Sequence, residues 1–247
     1  IDYYSSLMRN IALGTSTVTT LAGHTPATNV FSGPTFIAVS SDGEYALITD
    51  TANHVIRKYT FSLGTVVLLC GTVASPGSYE GSCSSATFNV PRGIKISRTG
   101  DYALITDADS NRLRKLDLVT NTVSAFSGAG ALGFADGDLL TALYCKPFGL
   151  DVSSNGEMIV VADKSNFRLR LITLDAPSAV PTSAPTSDGR TVTRFIGNGV
   201  AGFSDGPALT ASLSAPNDIC FAIDGTYVFI SESGIHAIRK YVFTTNQ

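Results

Sequence analysis

Apolar and polar positions alternate in short runs along the chain, and turns interrupt them at regular intervals. FIAVSSDGEYALITD (residues 36–50) holds two such runs around a Ser-Asp-Gly turn, and HVIRKYTF and VVLLCG follow directly. Runs rich in Val, Ile, Leu, Tyr and Thr with polar or glycine turns between them predict strands. No window carries a convincing helical period. The pattern therefore predicts four short strands per unit and an all-β chain.

The units repeat. ITDTANHVIRKY starts at Ile48, ITDADSNRLRKL at Ile105, VVADKSNFRLRL at Val160 and FISESGIHAIRK at Phe229. An acid opens each copy (Asp50, Asp107, Asp163, Glu232), and seven residues later an arginine follows (Arg57, Arg114, Arg170, Arg239). A proline stands upstream of each copy (Pro34, Pro91, Pro147, Pro216). Three residues before it lies a bulky apolar side chain (Phe31, Phe88, Tyr144, Leu213). Gly71 and Gly128 follow their arginines by 14 residues, as Gly23 follows Arg9. Gly197 follows Arg170 by 27, so 13 residues are inserted there. A period of 56–57 residues with a sheet's worth of strands in each unit points to a propeller. Residues 1–247 are expected to form one propeller segment with repeats over about 31–71, 88–128, 143–197 and 213–245. A partial unit at 8–23 precedes them, and a Ser/Thr/Pro-rich insertion occupies 175–190. Residues 8–23 supply only the last two strands of a unit and 213–245 only the first three. The chain is thus expected to be a segment of a larger protein.

Composition narrows the function classes. Charged residues make up 15% of the chain and the formal net charge is -3, with lysines and arginines spread through the repeats. That argues against a nucleic-acid surface, which needs a basic patch. No apolar run approaches the roughly 18 residues that cross a bilayer, so no membrane insertion is expected. The four cysteines, Cys70, Cys83, Cys145 and Cys220, lack zinc-type spacing.

The acid–arginine series admits a ligand or ion site, or a structural pair. With the turn centred between Asn53 and His54, Asp50 would face Arg57 across a hairpin, and likewise Asp107 and Arg114, Asp163 and Arg170, Glu232 and Arg239. A feature present in every unit serves the unit, so the structural reading is preferred. Opposed charges on paired strands contribute about 0.2–1 kcal/mol each. Glu80-Gly81, Asp136-Gly137 and Asp205-Gly206 form a second series in the connecting loops. GAGALGFADG and GNGVAGFSDG invite a phosphate-loop reading, but no helix follows to supply an anion site. Acid-glycine pairs there read as turns, and one carboxylate per loop falls short of a calcium shell.

FNVPRGIKISRTGDYALITDADSNRLRKLDLVTNTVSAFSG, residues 88–128, resembles an NHL repeat. The likeness runs from Met8 to Phe243 and includes P-x-G-I positions at Pro91–Ile94 and Pro147–Leu150. Pro34-Thr-Phe-Ile and Pro216-Asn-Asp-Ile lack the glycine, and Glu232 stands where Asp is usual. The resemblance implies a β-propeller of four-stranded blades, about four complete or nearly complete plus a partial N-terminal one. Proline-led strands would be innermost and glycine-ended strands outermost. Family members include docking platforms, extracellular scaffolds and a minority of enzymes, so fold alone does not decide activity.

Enzymatic relatives of this fold place histidines or carboxylates on inner strands. Here Ala38, Lys95, Asp151 and Cys220 fall at the matching position, which forms neither a metal set nor a triad. His54 and His236 share one hairpin position, and His24 stands apart. No cofactor and no catalytic residue is expected, and Asp151 is not expected to hold a metal. The expected function is a non-enzymatic structural or protein-interaction module of a larger extracellular or cell-surface protein. The repeat style resembles long secreted proteins of algae and protists, including flagellar-filament components. The alternatives are an intracellular docking platform and, behind it, a propeller hydrolase or lyase. Expected partners are other proteins or further domains of the same polypeptide.

Two features carry the extracellular reading. DAPSAVPTSAPTSDGR (175–190) resembles Ser/Thr/Pro stalks that bear O-linked sugar, which makes Ser178, Thr182, Ser183, Thr186 and Ser187 candidate sites. No N-glycosylation sequon occurs in the chain. Cys70 and Cys83 lie in one inter-blade connection and are expected to form a disulfide. Closing a loop of roughly 15 residues contributes about 3 kcal/mol by constraining the unfolded chain. Cys145 and Cys220 are not expected to pair. In parallel, in-register inner strands they are offset by six residues, roughly 20 Å.

Overall fold

Each proline-led run folds as a six-residue strand that begins at the proline itself. Proline has no N–H to give a sheet ladder, so the first residue of an edge strand suits it. The computed structural model describes residues 1–23, 30–174 and 190–243. Strands β1 (Leu7–Ala12) and β2 (Thr17–Gly23) pair as an antiparallel two-stranded sheet. Strands β3 (Pro34–Val39), β4 (Tyr45–Asp50), β5 (Val55–Thr60) and β6 (Thr65–Cys70) form a four-stranded sheet in chain order. Next come β7 (Gly81–Ser82), β8 (Pro91–Ile96), β9 (Tyr102–Asp107), β10 (Arg112–Asp117) and β11 (Thr122–Ser127), ordered β7-β11-β10-β9-β8. The same order recurs in β12 (Gly137–Asp138), β13 (Pro147–Val152), β14 (Met158–Asp163), β15 (Arg168–Thr173) and β16 (Thr191–Ile196). Strands β17 (Pro216–Phe221), β18 (Tyr227–Glu232) and β19 (Ala237–Val242) make a three-stranded sheet. The architecture is all-β, a β-propeller of antiparallel blades.

Two sheets have five strands rather than the four that the alternation predicts. The extra strands, β7 and β12, come from the acid-glycine loops. Gly81 and Ser82 pair with Val123 and Thr122, and Gly137 and Asp138 pair with Val192 and Thr191. Two residues are too few for an alternating pattern to register.

The chain divides into two compact units, residues 1–110 with 114–124 and residues 111–113 with 125–247. In the first, Leu47, Ile56, Phe88, Ile94, Ile105 and Leu116 belong to one buried cluster, and β3 lies against β8. In the second, Val160, Leu169, Ile196, Leu213, Ile219 and Ile230 do the same, and β13 lies against β17. Each such side chain contributes about 1.5–3 kcal/mol by leaving water. The apolar residues three before the prolines, Phe31, Phe88, Tyr144 and Leu213, are all buried.

Candidate functional site

The repeated acid ends the second strand of each blade. In three blades one turn of 3-10 helix follows, over Thr51–Asn53, Ala108–Ser110 and Lys164–Asn166. His54, Asn111, Phe167 and His236 then take left-handed backbone, with φ between 51° and 60°. Four residues connect the two strands, in the Glu232 blade without a 3-10 turn, and that length sets a register other than the expected one. Asp50 lies opposite Val55, and Arg57 pairs with Ile48. Asp163 lies opposite Arg168, and Arg170 pairs with Val161. The acid and arginine are therefore diagonal neighbours on one face, not directly opposed residues.

The side chains still meet. Arg57 Nε lies 2.6 Å from Asp50 Oδ2, Arg114 Nη1 3.1 Å from Asp107 Oδ2, Arg170 Nη1 3.1 Å from Asp163 Oδ2, and Arg239 Nη1 3.2 Å from Glu232 Oε1. All four acids are buried, and so are Arg114 and Arg170. The other carboxylate oxygen accepts a backbone N–H 18 residues upstream, from Ser32, Asn89, Cys145 or Ser214, at 2.5–2.7 Å. Each of three arginines also donates to two carbonyls in the connection that precedes its blade. Arg114 reaches Thr87 O (3.3 Å) and Tyr79 O (3.0 Å). Arg170 reaches Leu143 O and Ala135 O, both at 2.7 Å. Arg239 reaches Ser212 O (2.6 Å) and Ser204 O (3.0 Å).

Burial raises the cost of losing one partner. An exposed cross-strand pair contributes tenths of a kcal/mol, whereas removing one partner of a buried pair costs about 3–5 kcal/mol because the other charge is left uncompensated. Burial pushes the Asp107 and Asp163 carboxyls up to about 6, against the lowering effect of their amide and arginine partners. Burial also raises the phenol of Tyr144, which shares a 2.8 Å hydrogen bond with Ser127.

The acid-glycine loops do more than turn. Asp136 lies 2.8 Å from Arg170, and Asp205 lies 2.6 Å from Arg239. The glycines of GAG and GNG make room for arginine. Gly130 packs on the Arg112 guanidinium, and Gly199 on that of Arg168, with backbone φ of 83° and 87°. Arg112 donates to Ala129 O and Arg168 to Asn198 O, each at 3.0 Å. The Arg168 guanidinium also stacks 3.9 Å over Phe134. These loops are filled by the protein's own cations.

His54 Nδ1 accepts the Val90 N–H at 3.1 Å, and Asn111 Oδ1 accepts the Lys146 N–H at 3.1 Å. Asp151 is buried and accepts the Phe221 N–H at 2.8 Å through Oδ2. At the matching position Ala38 is buried, Lys95 half-buried and Cys220 exposed. His24 and the candidate glycosylation residues Ser178, Thr182, Ser183, Thr186 and Ser187 lie outside the described residues. Among the described residues, no three His, Cys, Asp or Glu are grouped to hold a metal ion. No helix there is long and apolar enough to cross a membrane.

Cys70 and Cys83 are joined in a disulfide, with Cα atoms 4.3 Å apart. Beside it Gly71 N–H donates to Cys83 O at 3.0 Å. Gly128 and Gly197 make the same bond to Leu139 and Ala208, where no cysteines stand. Neither Cys145 nor Cys220 is in a disulfide.

No family model matches the chain. Over 162 residues it is 32% identical to Protein SUPPRESSOR OF QUENCHING 1, chloroplastic, of Arabidopsis thaliana, covering 63% of this chain and 15% of that protein. Over 154 residues it is 21% identical to NHL repeat-containing protein 2 of Bos taurus, covering 59% of this chain and 21% of the relative. The chain thus spans about a fifth or less of these relatives' length. Among solved structures it resembles an auxiliary nutrient binding protein from Bacteroides ovatus, with TM-score 0.65, 18% identity, and 92% of this chain and 50% of that one covered. It also resembles a catalytically inactive virginiamycin B lyase from Staphylococcus aureus, with TM-score 0.59, 14% identity, and 98% and 61% covered. The fold and the bracketed hairpins define a β-propeller. Its repeats are of the NHL type.

Proposed function

We propose that the chain is a non-enzymatic protein-interaction or structural module of a larger extracellular or cell-surface protein. The observation that carries this is the use made of its buried ionisable groups. Asp50, Asp107, Asp163, Glu232, Arg114, Arg170 and Asp151 all have backbone or ion-pair partners that hold strands and loops in place. General acid–base work needs a group within reach of a substrate proton. The candidate partners are other proteins or further domains of the same polypeptide, with O-linked sugar on the 175–190 insertion.

The Cys70–Cys83 disulfide supports an oxidising compartment. One observation favours the intracellular platform as the second reading: the Arabidopsis relative is named as chloroplastic. Non-reducing peptide mapping with intact-mass measurement on native material separates the two. A linked Cys70–Cys83 peptide and a mass above that of the bare chain are expected. Four alkylatable thiols with the bare mass would overturn the extracellular assignment. Turnover by the purified chain that is lost on substituting Asp151 would overturn the non-enzymatic one.

A further inference from the structure

The outer strands of the blades are not treated alike. In two sheets the fourth strand is covered, β11 by β7 and β16 by β12, and Val123 and Val192 beneath are 2% and 0% exposed. Strand β6 ends its sheet among the described residues; Val66, at the position of Val123 and Val192, is half-buried there, and its neighbours Val67 and Leu68 are 50% and 47% exposed. The connections before the blades differ in length. Sixteen residues separate Gly71 from Phe88 and fifteen separate Gly128 from Tyr144, but only seven separate Gly23 from Phe31. Those seven, HTPATNV, contain neither an acid nor a glycine.

The bare strand is also the most apolar of its kind. Where β6 has Val67-Leu68, β11 has Ser124-Ala125 and β16 has Thr193-Arg194. Proteins blunt an exposed edge with charge, proline or a covering segment, and β6 has the first two nowhere along Thr65–Cys70. From Leu68 the apolar surface continues into a cleft of about 650 Å³ lined by Leu69, Val73, Cys83 and Thr120.

We infer that the β6 edge is a docking site for an extended segment of a partner protein, which adds as a fifth strand. The molecule shows what that segment looks like. On β16 the seat is taken by Phe134-Ala135-Asp136-Gly137-Asp138, antiparallel, with Gly137 opposite Val192 and the Asp136 carboxylate on Arg170. On β6, Val66 and Thr65 stand in the matching register, and Arg57 on β5 holds Asp50 with no acid in residues 24–30 to match Asp136. The partner segment therefore has the pattern apolar-x-acid-Gly-polar. Its glycine lies opposite Val66, its acid faces Arg57, and its apolar residue falls opposite Leu69, with Val55 and Arg57 in the places that Arg168 and Arg170 hold against Phe134. Main-chain hydrogen bonds give such strand addition its affinity, and the side chains give it selectivity.

The inference rests on reading the chain as an interaction module, and its test is separable from that reading. The probe is the capped peptide GFADGDL, the sequence of residues 133–139, titrated into the isotope-labelled 247-residue chain. Saturable binding below about 1 mM is expected, a weak affinity in keeping with so few contacts. The amide shifts should centre on Thr65–Leu68. The peptide with Asn for its first Asp should bind at least tenfold more weakly. Val67→Lys with Leu68→Lys changes two exposed side chains, so the melting curve should be retained while binding is lost. Shifts centred elsewhere, binding indifferent to the lysines, or no saturation would each overturn the site. So would dimerisation of the unliganded chain that the lysines abolish, because a second copy would then be the occupant. A native partner cross-linked only to other surfaces would leave the module reading standing and remove this one.

Discussion

Strands β15 and β19 occupy the same place in their blades and live in different surroundings. Leu169 is fully buried, while its counterpart Ile238 is 77% exposed. Arg170 is buried with two acids and two carbonyls, while Arg239 makes the same four contacts with part of its side chain in water. Among the described residues β15 has β16 beside it, and β19 ends its sheet. The comparison teaches that the hairpin and its bracket assemble from three strands and the preceding loop. The fourth strand removes them from water and so raises what each contact contributes.

The largest effect should come from orphaning an arginine. Asp163→Ala is expected to cost about 3–5 kcal/mol in chemical denaturation. Glu232→Ala should cost about 1–2 kcal/mol, because the partly hydrated Arg239 loses less. Equal costs would break the comparison. The apolar pair comes next. Leu169→Ala should cost about 2–5 kcal/mol by leaving a cavity, and Ile238→Ala no more than about 0.5 kcal/mol. The disulfide sharpens the point in the first unit. Cys70→Ser with Cys83→Ser should lower stability by about 3 kcal/mol, since the matching connections hold with a hydrogen bond alone.

The pH dependence is smaller and has a definite sign. Burial raises the Asp163 carboxyl from 3.8 to about 6, so the folded state binds its proton more tightly than the unfolded chain. The increment of stability linked to that proton is fully present below about pH 4 and lost as pH rises through about 6, while the ionised carboxylate keeps its bond to Arg170. Asp163→Asn should flatten that stretch of the stability profile, and an unchanged slope would refute the assignment. Least of all, Asp205→Asn should move the melting temperature barely at all, because that carboxylate is almost wholly exposed.

Much of this was legible in the residues. Spacing from Asp50 to Arg57 and on to Gly71 located three strands, and the prolines located the fourth. The 13-residue insertion after β15 did not hide β16, because Thr191-Val192 and Gly197 repeat Thr122-Val123 and Gly128. The bracket was legible only in part. Side-chain types announce an acid and an arginine, but the acceptors of Arg114 and Arg170 are carbonyls 27 and 35 residues upstream, and every residue has a carbonyl. The register was misjudged because a four-residue connection has no pattern of its own; it is the same after Glu232, where no 3-10 turn forms. His54 looked like a mere repeat position, yet it and Asn111 each accept an N–H from the residue just before the next blade's proline-led strand. A shared acceptor atom behind different residue names was the available clue.

The reach of those arginines also sets how such a chain can be copied. Arg170 holds Ala135 and Leu143, which precede the proline-led strand of its own sheet. A gene duplication or deletion cut at the prolines would separate Arg114, Arg170 and Arg239 from their carbonyls. A cut after the glycine that closes a fourth strand, running from Ala129 to Gly197, keeps loop, sheet and bracket together. The heritable cassette is therefore out of phase with the visible blade, and grafts made in that phase are the ones that should carry their stability with them.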